Sequence, residues 1–256
     1  MAGAGKFVWY ELMTNNLDAA EKFYADVVGW KMKDAGMPGM RYTLAHAGES
    51  RAAGLMAIPP DAAAAGARPG WIGYVGVDDV DAYAKRVKDK GGAVHREPAD
   101  IPTVGRFAIV GDPQGVMFAL FKGEGTPPPP ATPGTPGHAG WHELHAIDGV
   151  KAFDFYSGMF GWTKGTTMPM GDLGVYQLFA INGVEIGGMM TKMPQSPVPF
   201  WVYYFNVPEI KAAEARVKAG GGQIINGPME VPGGSWILQA IDPQGAMFAL
   251  VAPPAS

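Results

Sequence analysis

Asp112-Pro113-Gln114-Gly115-Val116-Met117-Phe118-Ala119-Leu120 returns, nearly letter for letter, as Asp242-Pro243-Gln244-Gly245-Ala246-Met247-Phe248-Ala249-Leu250. The Asp-Pro-Gln-Gly segment suits a tight turn, with proline at its second position and glycine at its fourth. The apolar run after it reads as a strand. Working outward, the repeat extends over the whole chain. Trp9, Glu11 and Leu12 recur as Trp141, Glu143 and Leu144, and Phe23-Tyr24 and Gly29-Trp30 as Phe155-Tyr156 and Gly161-Trp162. The offset drifts from 132 to 130 residues along the chain, which small loop insertions explain. A duplicated unit therefore organises the 256 residues. Between the copies lies Thr126-Pro127-Pro128-Pro129-Pro130-Ala131-Thr132-Pro133-Gly134. Proline cannot donate to a sheet and favours extended geometry, so a semi-rigid linker is expected. The expected divisions are residues 5–123, a linker at 124–137, and 138–253.

Each copy divides again. A strand at Phe7 to Met13 precedes a helix capped by Asn16 or Asp18, with Ala20, Phe23, Tyr24 and Val27 on one face. Gly29 ends it. Strands follow around residues 30–33, 41–46 and 52–57. The order then repeats: a strand at 71–77, a helix at 79–90, and strands near 93–96, 106–110 and 116–121. The second copy reads alike, with helices near 150–160 and 209–219. An α+β fold of four βαβββ modules is predicted.

Composition bounds the function. Hydrophobic residues make up 47% and charged residues 17%, so a sizeable core is expected. The net charge is −4 without a basic cluster, which argues against nucleic acid as partner. No apolar run reaches membrane-spanning length, and Met1 to Lys6 lacks a signal-peptide core. Cysteine is absent, excluding disulfides, thiolate metal sites and a cysteine nucleophile. A cytoplasmic location, a small-molecule ligand, no membrane partner and a monomeric or homodimeric state are expected. Gly3-Ala4-Gly5-Lys6 lacks the context of a phosphate loop and reads as a flexible N-terminus.

The βαβββ duplication, the Leu17…Phe23-Tyr24…Gly29-Trp30 pattern, the Val77-Asp78-Asp79-Val80 step and the Asp-Pro-Gln-Gly turn resemble the vicinal oxygen chelate superfamily, which groups glyoxalase, bleomycin-resistance and dioxygenase proteins. The resemblance implies two tandem domains with curved sheets around clefts. It also implies, in metal-using members, a histidine on the first strand, a ligand on the first strand of the second module, and a glutamate on the last strand. Some members add a ligand on the last strand of the first module. Those positions fall on Trp9 and Trp141, on Ile72 and Val202, on Ala119 and Ala249, and near Gly54-Leu55 and Gly188. None can ligate a transition metal, so neither a metal nor another cofactor is expected.

Side chains alternate along a strand. With Trp9 and Trp141 facing the cleft, Glu11 and Met13 face it in one copy, and Glu143 and His145 in the other. Tyr74 and Tyr204 join them, as do Met117, Phe121, Met247 and Val251. The candidate catalytic residues are thus Glu11, Glu143 and His145. The candidate ligand-binding residues are Trp9, Tyr74, Met117, Trp141, Tyr204 and Met247. A carboxylate among apolar neighbours suits proton transfer; alternatively each glutamate bonds a tyrosine hydroxyl and serves structure. His142-Glu143-Leu144-His145 is no helical zinc motif, because on a strand His142 and His145 point to opposite faces. His46, His95 and His138 are expected to be solvated. Arg106, replaced by Trp236 in the second copy, reads as a surface arginine or an anion contact, and Tyr42 and Tyr176 as lining the cleft or packing outside it. The expected function is small-molecule binding, with a metal-independent lyase or isomerase activity open. The alternatives are sequestration of a drug or metabolite and, against the ligand mapping, a metal-dependent lactoylglutathione-lyase-like enzyme.

Overall fold

The computed structural model describes residues 5–254. The first module comprises β1 (Phe7–Thr14), α1 (Leu17–Val28), β2 (Lys31–Asp34), β3 (Tyr42–Ala47) and β4 (Ser50–Ala57). After a short helix, α2 (Pro60–Ala64), come β5 (Gly70–Gly76), α3 (Val80–Asp89), β6 (Ala93–Ile101), β7 (Gly105–Gly111) and β8 (Met117–Gly123). The second copy repeats this as β9 (Ala139–Ala146), α4 (Gly149–Phe160), β10 (Thr163–Pro169), β11 (Val175–Ile181) and β12 (Val184–Thr191). It ends with β13 (Phe200–Asn206), α5 (Ile210–Ala219), β14 (Gln223–Glu230), β15 (Trp236–Ile241) and β16 (Met247–Ala252). The four βαβββ modules are those expected. Only α2 and a 3₁₀ turn at Gly171–Leu173 add to them among the described residues.

Local chemistry sets the element ends. Asn16 caps α1 by accepting from the Ala19 N–H at 3.1 Å, and Gly29 closes it in the left-handed region, φ 88°. Asp148 and Gly161 do the same for α4. Two eight-stranded sheets result, with orders β2-β3-β4-β1-β5-β8-β7-β6 and β10-β11-β12-β9-β13-β16-β15-β14. β1 runs parallel to β4 with Glu11 opposite Gly54, and β9 parallel to β12 with Glu143 opposite Gly188.

Compactness divides the chain differently from the repeat. One unit gathers residues 5–8, 72–129 and 142–201; the other gathers 9–71, 130–141 and 202–254. Each draws on both copies, and each is tied by the same motif pair. In the first unit the Tyr156 hydroxyl donates to Asp112 Oδ2 at 3.1 Å and accepts from Trp201 Nε1 at 3.1 Å. Asp112 Oδ1 meanwhile accepts from the Gln114 and Val116 N–H groups. In the second unit Tyr24 donates to Asp242 Oδ2 at 3.0 Å and accepts from Trp71 Nε1 at 2.9 Å. The two aspartates are each 3% exposed, and burial raises the pKa of both. The Phe-Tyr pair and the Asp-Pro-Gln-Gly turn, read separately in the sequence, thus meet across the repeat.

Two expectations need correcting, and the stretch between the copies has contacts of its own. Gly3 and Ala4 lie outside the described residues, but Gly5 is no part of a flexible end. It is buried, its N–H bonds Gly76 O at 2.8 Å, and its carbonyl accepts from Trp162 Nε1 at 2.6 Å. A Cβ there would press on the Phe160 carbonyl. The linker is exposed from residue 126 to 134, yet Gly137 is buried and its carbonyl accepts from Trp30 Nε1 at 2.8 Å. His46 is only partly solvated: the residue is half-buried and its Nε2 is shielded from water. Its neighbours on β3 are packed against β2 and β4 on both sides.

Candidate functional site

Glu11 sits 8% exposed near the middle of β1. Its Oε2 accepts from the Tyr42 hydroxyl of β3 at 2.8 Å, and that hydroxyl accepts from Trp9 Nε1 at 3.0 Å. Burial, and then the Glu11 charge, push the Tyr42 pKa far up, so the phenol stays protonated as a donor. Trp9 and Glu11 thus lie on one face of β1 and share the Tyr42 hydroxyl.

The second copy repeats and extends this arrangement. Glu143 Oε2 accepts from the Tyr176 hydroxyl of β11 at 2.9 Å, and Glu143 Oε1 pairs with His145 Nε2 at 2.7 Å. The two side chains are 13% and 10% exposed. The His145 ring stacks on Phe200, with centroids 4.7 Å apart and planes 12° apart. Met13 holds the equivalent place in the first copy. His142 points the other way, as strand geometry requires. Its Nδ1 meets Ile186 O at 2.7 Å, its ring stacks on Phe7 at 4.3 Å, and burial lowers its pKa to about 4.

The tyrosines reach their glutamates by crossing the strand between. A Cβ added to Gly54 would coincide with the Tyr42 hydroxyl end, and one added to Gly188 with the Tyr176 ring. Only glycine leaves that passage open. The sequence carried this signal unread: Tyr42 with Gly54 recurs at equal spacing as Tyr176 with Gly188.

The remaining candidates have varied surroundings. Tyr74 is buried, opposite Ala119, between Phe107 (6.5 Å) and Phe121 (6.2 Å). Tyr204 accepts from Gln239 Nε2 at 2.6 Å. Trp141 and Met247 are half-buried. Met117 is 44% exposed at the start of β8. Arg106 is held at the surface by Asp81 and Asp100, at 2.6 and 2.8 Å, as an ion-paired arginine. A hollow of about 350 Å³ borders Asp26, Gly48, Gly137 and Arg216, and another of about 420 Å³ borders Lys90, Gln114 and Lys151. Neither is lined by Glu11 or Glu143.

The positions at which the superfamily resemblance puts metal ligands do not fit a metal. Ile72, Val202, Ala119 and Ala249 are buried apolar side chains, and Gly54 and Gly188 lie under tyrosine rings. Among the described residues no cluster of three histidines or carboxylates is present.

Paired βαβββ modules building one curved sheet per copy define a class. The chain belongs to the Glyoxalase/Bleomycin resistance protein/Dioxygenase superfamily, whose family model matches residues 6–120 and again 127–250. It is similar to the "Putative glyoxylase CFP32" of Mycobacterium tuberculosis, 32% identical over 251 residues, covering 96% of this chain and 94% of that protein. It is also similar to the anthracycline biosynthesis protein DnrV of Streptomyces peucetius, 28% identical, covering 96% and 93%. Among solved structures, the Mn(II)-bound glyoxalase from Novosphingobium aromaticivorans aligns with TM-score 0.68 and 17% identity, over 100% of this chain and 84% of that one. The 2,3-dioxygenase LapB from Pseudomonas aligns with TM-score 0.68 and 14% identity, covering 100% and 94%. At those identities the likeness is one of fold.

Proposed function

We propose that this protein binds a small, partly apolar organic molecule without a bound metal, using the Glu143–His145–Tyr176 cluster of its second copy as polar anchor. The observation that carries this reading is the cluster itself. It is a nearly buried carboxylate shared by an imidazole at 2.7 Å and a phenol at 2.9 Å. Apolar walls with a few placed polar groups are the usual make-up of a small-molecule site. The names of the relatives, a glyoxylase and an anthracycline biosynthesis protein, both point to small organic compounds. The first copy supplies Glu11, Trp9 and Tyr42 in the same relation. Tyr74, Met117, Tyr204 and Met247 are assigned to the ligand-facing walls. A cytoplasmic monomer or homodimer completes the reading.

A second reading, a metal-independent lyase or isomerase, is favoured by the Glu143–His145 pair, since a carboxylate that orients an imidazole is the arrangement a general base uses. Sequestration without turnover is the alternative. Titration with candidate hydroxyketones and aromatic polyketides, read by thermal shift and product analysis, separates them. Glu143→Gln should weaken binding about tenfold, roughly 1.4 kcal/mol, with little change in melting temperature, and should abolish any turnover. A fall in stability of about 1–3 kcal/mol with affinity unchanged would mark Glu143 as structural instead. Glu11→Gln is the internal control.

A further inference from the structure

Resting on that reading, we infer that the atom which selects the ligand is His145 Nδ1, and that the ligand therefore carries a hydrogen-bond donor, an O–H or N–H, on a flat apolar body. A carboxylate oxygen of Glu143 lies 2.7 Å from Nε2 of His145, so the tautomer that satisfies this bond carries its hydrogen on Nε2 and leaves Nδ1 as the acceptor nitrogen. Among the described residues Nδ1 has no hydrogen-bond partner and is shielded from water. A buried acceptor left unmatched costs free energy that a matching donor recovers. Selectivity follows from the same fact, because a ligand without the donor leaves the cost in place. Glu143 beside it disfavours an anion, so carboxylates and phosphates are poor candidates.

Phe200 gives the class of the body. Its half-buried ring lies parallel to the imidazole at the first position of β13. An aromatic ligand that presents a hydroxyl to Nδ1 extends or displaces that stack with no exposed polar group left over. The phenol is the simplest molecule of this description. The first copy has no such discriminator: Met13 replaces the histidine while the glutamate–tyrosine bond persists. Recognition of the donor is therefore confined to the second copy, and His145→Met has a built-in precedent for folding.

The test compares α-naphthol with its methyl ether, in which a methyl group replaces the donor hydrogen. Binding to the full chain is followed by NMR of nitrogen-labelled histidine and by titration calorimetry. The expected result is a shift of the His145 Nδ1 resonance by naphthol, with the ether bound about tenfold more weakly. In His145→Met the two probes should bind equally, at the affinity of the ether. Equal binding of both by the unaltered protein, or a naphthol advantage that survives His145→Met, overturns the donor requirement and leaves the small-molecule site standing. If neither probe perturbs β9 or Phe200, the inference and the reading beneath it fall together.

Discussion

Gly188→Ala would place a methyl group where the Tyr176 ring now crosses β12. The ring must swing away, and Glu143 then loses a donor held at 2.9 Å. We expect a stability loss of about 1–3 kcal/mol from overpacking and the broken bond, together with weaker ligand binding. Tyr176→Phe breaks the same bond without the clash, so it should reproduce the binding defect with a smaller change in the urea midpoint. A Gly188→Ala protein with unchanged midpoint and unchanged affinity would show that the ring has room to move. At this scale the sequence was partly legible. Strand alternation from Trp141 located Glu143 and His145 on one face. A bond from each glutamate to a tyrosine hydroxyl was one of the sequence readings; that the tyrosines are those of β3 and β11 was not legible, because it depends on a side chain crossing a neighbouring strand, which periodicity does not encode.

Strand β9 carries opposite chemistry on its two faces, and its inner face sets a pH dependence. Burial holds the His142 ring neutral, with its pKa lowered from 6.5 to about 4. Between those values the unfolded chain binds a proton that the folded chain refuses, so unfolding gains as pH falls. The stability this site contributes is complete above about pH 6.5 and drains away as pH approaches 4, by on the order of 3 kcal/mol. Urea unfolding at pH 7 and pH 4.5 should show that part of the loss, and His142→Leu should lack it. Loss of equal size in the variant would place the acid sensitivity elsewhere. Asp112 and Asp242 act with the other sign: their raised pKa values favour the folded state in acid, an advantage lost as pH rises through them. Most elements were readable from the sequence, since caps such as Asn16 and Gly29 are local signals. The buried role of the two aspartates was hidden, because a turn signature explains the residues fully without mentioning the tyrosine on the other side of a domain.

For the whole molecule, the division into compact units predicts how the chain behaves when cut. Cleavage within residues 127–134, which are exposed, should leave the two pieces associated through the Tyr24–Asp242 and Tyr156–Asp112 ties. Size-exclusion chromatography of the nicked protein checks this, and separation into two folded halves would contradict it. Proline content marks out residues 126–134, which are exposed. It was silent on which module packs with which, since a repeat gives every module the same apolar faces to offer. A second expectation at this scale is compositional: elemental analysis of untagged protein from its own host should find transition metals far below one per copy. One equivalent of manganese, zinc, nickel or iron would overturn the ligand mapping.

The glycines beneath Tyr42 and Tyr176 also bear on what this scaffold can become. They occupy the strand positions at which the superfamily resemblance locates an optional metal ligand. A carboxylate introduced there meets an aromatic ring already in place. Adding a ligand at either position by single steps is therefore obstructed: the new side chain is tolerated only after the tyrosine has gone, and removing the tyrosine first unmoors the glutamate it holds. Neither order of change passes through a well-packed intermediate, so the architecture works as a ratchet at these two positions and tells an engineer to replace tyrosine and glycine together.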